Sequence, residues 1–300
     1  MVIYSGPHVF MRKILLFGKV GQVGWELRRT LMPMGEIVCV DRPEVELSLA
    51  DSIRDHIKAA KPDIIINACA YTAVDKSEKE FELAKKINAD APGVMGEEAK
   101  KLGALLVHYS TDYVYDGTKR TPYVETDTPN PLGSYAKTKH LGDEAIRQTD
   151  CNHLIFRLCW VYGNRGSNFM LTMQRLARKR EKIKVVADQI GCPTWSRAVA
   201  EVTAKAVFQV KNNADAERFS GTYHLCSSGQ TSWHGFAKAI VDLMPPEERK
   251  CVKVEDISNS TYPTPTLRPY YTVMSTQKLQ DTFGLKLPNW YEMLKHVVEK

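Results

Sequence analysis

The sequence predicts an α/β fold with a doubly wound parallel sheet. Three observations predict it. Short apolar runs recur along the first half of the chain, helix-period segments separate them, and a glycine-rich turn joins the first run to the first helix.

Lys13–Phe17 (KILLF) is a short apolar run that ends at Gly18, as a parallel strand covered on both faces does. A helix follows over Gln22–Leu31, closed by Pro33 and Gly35. Ile37–Asp41 reads as the second strand, Ser52–Ala60 as a helix and Asp63–Ala70 as the third strand. Helical patterns over Phe81–Asn88 and Val94–Leu102 lead to a fourth strand, Ala104–Tyr109. A strong helix begins near Ser134, and Leu154–Val161 is strand-like again. This alternation implies right-handed βαβ units. Beyond Tyr162 the pattern loosens: helix Phe169–Arg180, strand Ile183–Val186, helix Arg197–Val210, strand Gly221–Leu225 and helix Ser232–Leu243. The prolines of Tyr262–Pro269 (YPTPTLRP) exclude regular helix there. The expected division is a Rossmann-type cofactor domain over 11–165, to which 190–226 returns. A smaller C-terminal α/β substrate lobe takes 166–189 and 227–300, and 1–10 reads as an N-terminal extension.

Composition narrows the function class. Lys and Arg number 41 against 35 Asp and Glu, a formal charge of +6 over 300 residues. That surplus suits an anionic small molecule and is too thinly spread for nucleic acid. Seven cysteines without a C-x-x-C pair read as reduced thiols, so a cytoplasmic protein is expected. No apolar run approaches the ~18 residues of a membrane span, and Met1–Phe10 lacks the marks of a signal peptide.

Between the first strand and helix stands Gly18-Lys-Val-Gly21-Gln-Val-Gly24. Glycines at such spacing allow a tight turn, close approach of a diphosphate to backbone, and close helix–strand packing. Asp41 ends the next strand about 20 residues on, where an acidic side chain accepts the ribose 2′-hydroxyl of NAD. Arg42 beside it suits the 2′-phosphate of NADP, so NADH and NADPH both stay open.

Tyr135 and Lys139 are four apart and share one face of a helix. A free phenol has a pKa of about 10; a neighbouring ammonium is expected to lower it and make the pair a general acid or base. Thr111, at the end of the fourth strand, is placed to hydrogen-bond an oxygen becoming an alkoxide. None of the eight histidines is given a role, and no His, Cys and carboxylate cluster has zinc spacing.

Gly18–Leu27 (GKVGQVGWEL), Asn67–Lys76 (NACAYTAVDK), His108–Tyr115 (HYSTDYVY), Trp160–Gly163 (WVYG), Ala187–Thr194 (ADQIGCPT) and YPTPTLRP carry a resemblance. From about Met11 onward the chain resembles the dTDP-4-dehydrorhamnose reductase family, within the extended short-chain dehydrogenase/reductases. The resemblance implies reduction of dTDP-4-dehydro-β-L-rhamnose to dTDP-L-rhamnose with NADPH or NADH. It implies that Gly21, Gln22 and Val23 lie under the cofactor diphosphate, Asp41 at the adenosine ribose, and Glu46 and Leu47 beside the adenine. Ala70, Tyr71 and Thr72 would wall the cofactor. Tyr135 would donate the proton, Lys139 hold the nicotinamide ribose, and Thr111 and Asp112 touch the sugar. Trp160 would pack on that sugar, although in an apolar run it also reads as a core side chain. Arg268 would meet the nucleotide's anionic end, or stand in solvent. Two family hydroxyls are missing, because the segment before Val161 reads Arg157-Leu158-Cys159-Trp160.

The same fold also hosts nucleotide-sugar epimerases, and relatives serve as regulatory subunits of methionine adenosyltransferase. The intact Thr111, Tyr135 and Lys139 argue against the non-catalytic role, and net cofactor consumption separates a reductase from an epimerase. Some members dimerise through Mg²⁺ on surface glutamates. Glu26 could supply one, but Arg197 stands at the other matching position and offers no oxygen. Arg197 is expected to pair with Glu26, and the protein to be a monomer or a metal-independent homodimer.

Overall fold

The computed structural model describes residues 12–262 and 264–299; the expected extension over 1–10 lies outside the described residues. The apolar runs become β1 (Arg12–Phe17), β2 (Gly35–Val40), β3 (Ile64–Asn67), β4 (Leu105–Thr111) and β5 (His153–Leu158). The helices between them are α1 (Gln22–Thr30), α2 (Ala50–Ala60), α3 (Phe81–Lys85), α4 (Ala91–Leu102) and α5 (Ser134–Gln148). After β6 (Val161–Tyr162) come α6 (Phe169–Ala177), β7 (Lys182–Val186), β8 (Ile190–Gly191), β9 (Thr194–Trp195) and α7 (Ser196–Lys211). The chain closes with β10 (Gly221–His224), β11 (Thr231–Ser232), α8 (Trp233–Asp242), β12 (Lys253–Ile257), α9 (Gln277–Phe283) and α10 (Trp290–Val298).

Six strands form one sheet in the order β10-β5-β4-β3-β1-β2, and every pairing in it is parallel. Both faces are apolar. Ile14, Leu16, Ile66 and Val107 pack with Leu27 and Leu31 of α1 and Val199 and Val202 of α7. On the other face Leu15, Phe17, Ile65 and Leu106 pack with Ile53 and Ile57 of α2, Met95 of α4 and Ile146 of α5. Helices on both sides are what a parallel sheet requires, because its crossovers must return over its faces. The strand order reverses between β1 and β3, and a crevice opens at the carboxyl ends there. A separate core joins α6, β7, α8 and α10 through Met170, Ile183, Phe236 and Leu294. β7 pairs with β12 in parallel, and short ladders join β8 to β11 and β6 to β9.

Three features depart from the sequence expectations. The run Leu154–Val161 is not one strand: β5 stops at Leu158, and β6 pairs with β9 instead of joining the large sheet. The break lies at Trp160, whose φ of +44° leaves the strand region. The helices expected at Phe81 and Val94 are joined by a π-helical turn, Lys86–Asp90, which leads straight into α4. β12, α9 and α10 have no counterpart in the expectations, because their apolar patterns are short and partly exposed. All seven cysteines are free thiols. Among the described residues no helix is long and apolar enough to cross a membrane.

Candidate active site

The crevice at the switch point is a cleft of about 1040 Å³, the volume of a site for a large ligand. Its floor begins at the glycine turn. Gly18 has φ +94°, and a Cβ there would lie 2.8 Å from the Ala68 backbone. A Cβ on Gly24 would lie 1.9 Å from the Gly18 carbonyl oxygen. These two glycines therefore pack β1 against α1 and do not line the cleft. Gly21, Gln22 and Val23 do line it. Gly21 caps α1 without a side-chain hydrogen bond, and the first turn of α1 holds no acidic residue. The free amides and positive dipole end of α1 thus face the space, which is what binds a diphosphate.

Asp41 and Arg42 follow on the rim. The Asp41 carboxylate accepts the Val20 N–H at 3.2 Å and the Arg42 N–H at 2.9 Å, which fixes its direction. Glu44 accepts the Lys19 ammonium at 2.6 Å and the Asp41 N–H at 3.1 Å, bracing the same corner. Glu46 accepts both the N–H and the hydroxyl of Ser48, at 3.0 and 2.8 Å, and with Leu47 shapes the next wall. Ala70, Tyr71 and Thr72 line the cleft after β3. Tyr71 is held through its backbone by Asn88: its N–H donates to Oδ1 at 2.8 Å, and its carbonyl accepts from Nδ2 at 3.1 Å. Asn88 sits in the π turn, where a Cβ on Gly142 of α5 would come within 2.1 Å of its carbonyl oxygen. That contact locks α5 to the wall it faces.

Tyr135 and Lys139 share the first turns of α5, whose start is pinned by Glu78 accepting the Ser134 N–H at 2.9 Å and its hydroxyl at 2.7 Å. Both line the cleft. Lys139 is 1% exposed, and burial lowers its ammonium to about 8 against the favourable charge of Asp143. Burial pushes the Tyr135 phenol up to about 12, while the Thr111 hydroxyl works to lower it. The expectation of a phenol lowered by the ammonium is thereby corrected: burial, the largest cause, raises it, and the charges of Asp112 and Asp143 raise it further. The result still serves a reduction, since the phenol stays protonated through neutral pH and can donate.

Thr111 ends β4, donates to Asp112 Oδ1 at 3.1 Å and accepts the Tyr113 N–H at 3.2 Å. Burial pushes the Asp112 carboxyl up to about 6, against the polar groups of Thr272, Cys159 and Thr111. Asp112 Oδ2, Ser110 Oγ and Trp160 Nε1 are buried without a hydrogen-bond partner, and all three residues line the cleft. Buried polar atoms are rarely left so, and a polyhydroxylated ligand would satisfy them. Trp160 stacks on Trp233 at 3.6 Å and 10°, making one aromatic wall. It is no strand core residue; a Cβ on Gly191 would meet its ring at 2.6 Å.

Two expected contacts take other partners. Arg268 does not line the cleft; its guanidinium meets the Asp75 carboxylate at 3.2 Å. Arg197 pairs with Glu201 at 3.0 Å, one helical turn along, and not with Glu26. Among the described residues no group of three His, Cys, Asp or Glu could hold a metal ion. Sequence reasoning missed Trp233, Asn67 and His108. His108 Nε2 lies 3.1 Å from Lys139 Nζ, inside the protein. Its signal was a histidine in the middle of an otherwise apolar strand.

Comparison with known proteins shows the family. Residues 11–300 match the family model described as RmlD substrate binding domain. The dTDP-4-dehydrorhamnose reductase of Burkholderia thailandensis is 46% identical over 283 residues, 93% of this chain and 95% of its own. The crystal structure of the Clostridium acetobutylicum dTDP-4-dehydrorhamnose reductase superposes with a TM-score of 0.88 at 34% identity, covering 95% of this chain and 98% of that one. The Bacillus anthracis enzyme, solved in complex with NADP, gives 0.87 at 32% identity, covering 96% and 98%. A glycine turn, a tyrosine–lysine pair and an aromatic wall on one cleft, in a chain matched over nearly its full length, place it in the dTDP-4-dehydrorhamnose reductase family.

Proposed function

We propose that this chain reduces the C4 ketone of dTDP-4-dehydro-β-L-rhamnose to give dTDP-L-rhamnose, with Tyr135 as proton donor. The observation that carries the reading is the placement of Thr111, Tyr135 and Lys139 on the same cleft as the α1 N-terminus. The cleft fits a nicotinamide dinucleotide: Gly21, Gln22 and Val23 would hold the diphosphate, Asp41 and Arg42 the adenosine ribose, and Lys139 the nicotinamide ribose. Ala70, Tyr71 and Thr72 would wall it, with Glu46 and Leu47 at the adenine. When bound, the reduced cofactor supplies the hydride. The Thr111 hydroxyl, turning from Asp112 Oδ1 to the bound substrate, donates its hydrogen bond to the ketone oxygen and supports the negative charge that develops there. Tyr135 then protonates that oxygen. Asp112 and the Trp160–Trp233 wall orient the sugar. The reaction belongs in the cytoplasm on this reading. Oxidation of NADPH with the dTDP sugar, beside the UDP- and GDP-linked keto sugars, tests it: the dTDP compound should be preferred, and equal or better turnover of another nucleotide would reject the assignment. An epimerase would consume no cofactor.

Asp41 and Arg42 stand side by side on the rim, one suited to a 2′-hydroxyl and the other to a 2′-phosphate. NADH and NADPH should therefore both serve, separated by no more than about 2 kcal/mol, the scale of one or two hydrogen bonds. Comparing kcat/KM for the two checks this, and a preference above about thirtyfold, the equivalent of that 2 kcal/mol, is incompatible with it.

Arg197, paired with Glu201 at 3.0 Å, puts a fixed positive charge and no oxygen where a bridging cation would need a ligand. Size-exclusion chromatography and activity should be unchanged by EDTA, whether the protein is a monomer or a homodimer. A dimer that dissociates on chelation and reforms with Mg²⁺ would contradict this.

A further inference from the structure

Behind Lys139, away from the cleft, runs a chain of three buried polar groups. The Cys69 N–H donates to Asn67 Oδ1 at 3.1 Å. That contact fixes the rotation of the Asn67 amide, so its Nδ2 is the atom 3.1 Å from His108 Nδ1. An amide nitrogen only donates, and His108 Nδ1 must accept. A neutral imidazole then carries its single proton on Nε2, the atom 3.1 Å from Lys139 Nζ. A second proton on the ring is opposed by complete burial and by the charge of Lys139, which together hold His108 well below the usual imidazole range.

The lysine therefore meets a donor, not an acceptor. An ammonium has only donors to offer, so it opposes the Nε2–H, whereas an unprotonated amine accepts from it. The other groups facing Lys139 act the opposite way: Asp143 on the same helix, itself paired with Arg157 of β5 at 3.4 Å, and Cys69 after β3. Tyr135 lies one turn back on α5, and His153 of β5 faces His108 from the far side.

We propose that Asn67 and His108 are positioning residues of the proton relay: they fix an Nε2–H toward Lys139 and stabilise its amine form, so that the lysine passes a proton to the Tyr135 phenolate left when the ketone oxygen is protonated and takes one back from solvent water in each catalytic cycle. The proposal rests on Tyr135 and Lys139 being the proton-transfer pair. It explains why two neighbouring buried strands, β3 and β4, spend an asparagine and a histidine, 1% and 0% exposed, on a line ending at the lysine.

Two measurements test it. Nitrogen NMR of the full-length protein labelled at histidine, with His108 assigned by its loss in His108→Gln, should show a neutral Nε2–H tautomer from pH 6 to 9. An Nδ1–H tautomer or an imidazolium would overturn the proposal. In Asn67→Asp the amide donor becomes an acceptor, so the ring proton moves to Nδ1 and Nε2 accepts from the ammonium. The fall of kcat/KM at high pH should then move up by about one pH unit or more, roughly tenfold in proton affinity. His108→Gln, whose carbonyl can turn to the lysine, should move it the same way and serves if the aspartate variant folds poorly. Loss of rate at every pH with the limb unmoved would mean a merely structural role and would overturn the proposal. Wild-type turnover in Lys139→Met would instead reject the underlying pair, while the tautomer measurement would still report on Asn67 and His108.

Discussion

Tyr135→Phe should lower kcat at least about a hundredfold while leaving cofactor affinity close to wild type. The ring itself packs edge-on against Tyr113, at 6.4 Å and 83°, and phenylalanine keeps that contact. What disappears is the only phenol on α5 and the group the Thr111 hydroxyl addresses. Because burial holds that phenol near 12, it is protonated throughout the working range, and its loss should depress the rate at every neutral pH without shifting the profile. The drop should appear in single-turnover rates as well as in kcat, since the proton is needed at the chemical step. A phenylalanine variant with unimpaired turnover would remove Tyr135 from the reaction.

The second large effect separates two glycines only three residues apart. Gly24→Ala drives a methyl to within 1.9 Å of the Gly18 carbonyl oxygen and 2.8 Å of its carbon, both backbone atoms that cannot turn aside. Helix α1 must then lift from the β1 turn, costing about 3 kcal/mol or more by the scale of overpacked cores. Gly21→Ala meets its nearest neighbour at 3.6 Å, an ordinary contact, so the fold should hold. That methyl sits instead at the mouth of the α1 amides, and NADPH affinity should fall by roughly tenfold or more as the diphosphate loses its close approach. Urea midpoints and cofactor titrations of both variants divide the roles. A wild-type midpoint for Gly24→Ala, or wild-type affinity for Gly21→Ala, would contradict the division.

The sheet was legible because its information is local. Runs such as KILLF and DIIINACA, covered on both faces, announce themselves by continuous apolarity, and the glycine turn by spacing. The Tyr135–Lys139 pair was equally local, four residues on one helix. What stayed hidden depends on partners far along the chain. Nothing in Leu154–Val161 signals a break; Trp160 adopts positive φ within an aromatic stack whose other member, Trp233, is 73 residues away in sequence. His108 gains meaning only when β3 and α5 bring Asn67 and Lys139 to its two nitrogens. The Tyr135 phenol could not be placed from the Lys139 spacing, because the largest influence on it is burial, a property of the folded cleft. Arg268 and Arg197 show the same limit: each found a carboxylate that spacing alone did not single out.

The central claim is a net reduction at C4, in which a hydride leaves the cofactor for good. It is tested most directly by single-isotope transfer. The full-length protein, given NADPH carrying deuterium at the transferable position of the nicotinamide and dTDP-4-dehydro-L-rhamnose, should yield dTDP-L-rhamnose with one deuterium, located at C4, and one equivalent of NADP⁺. Deuterium elsewhere on the sugar, or a changed sugar with the cofactor unconsumed, would contradict it.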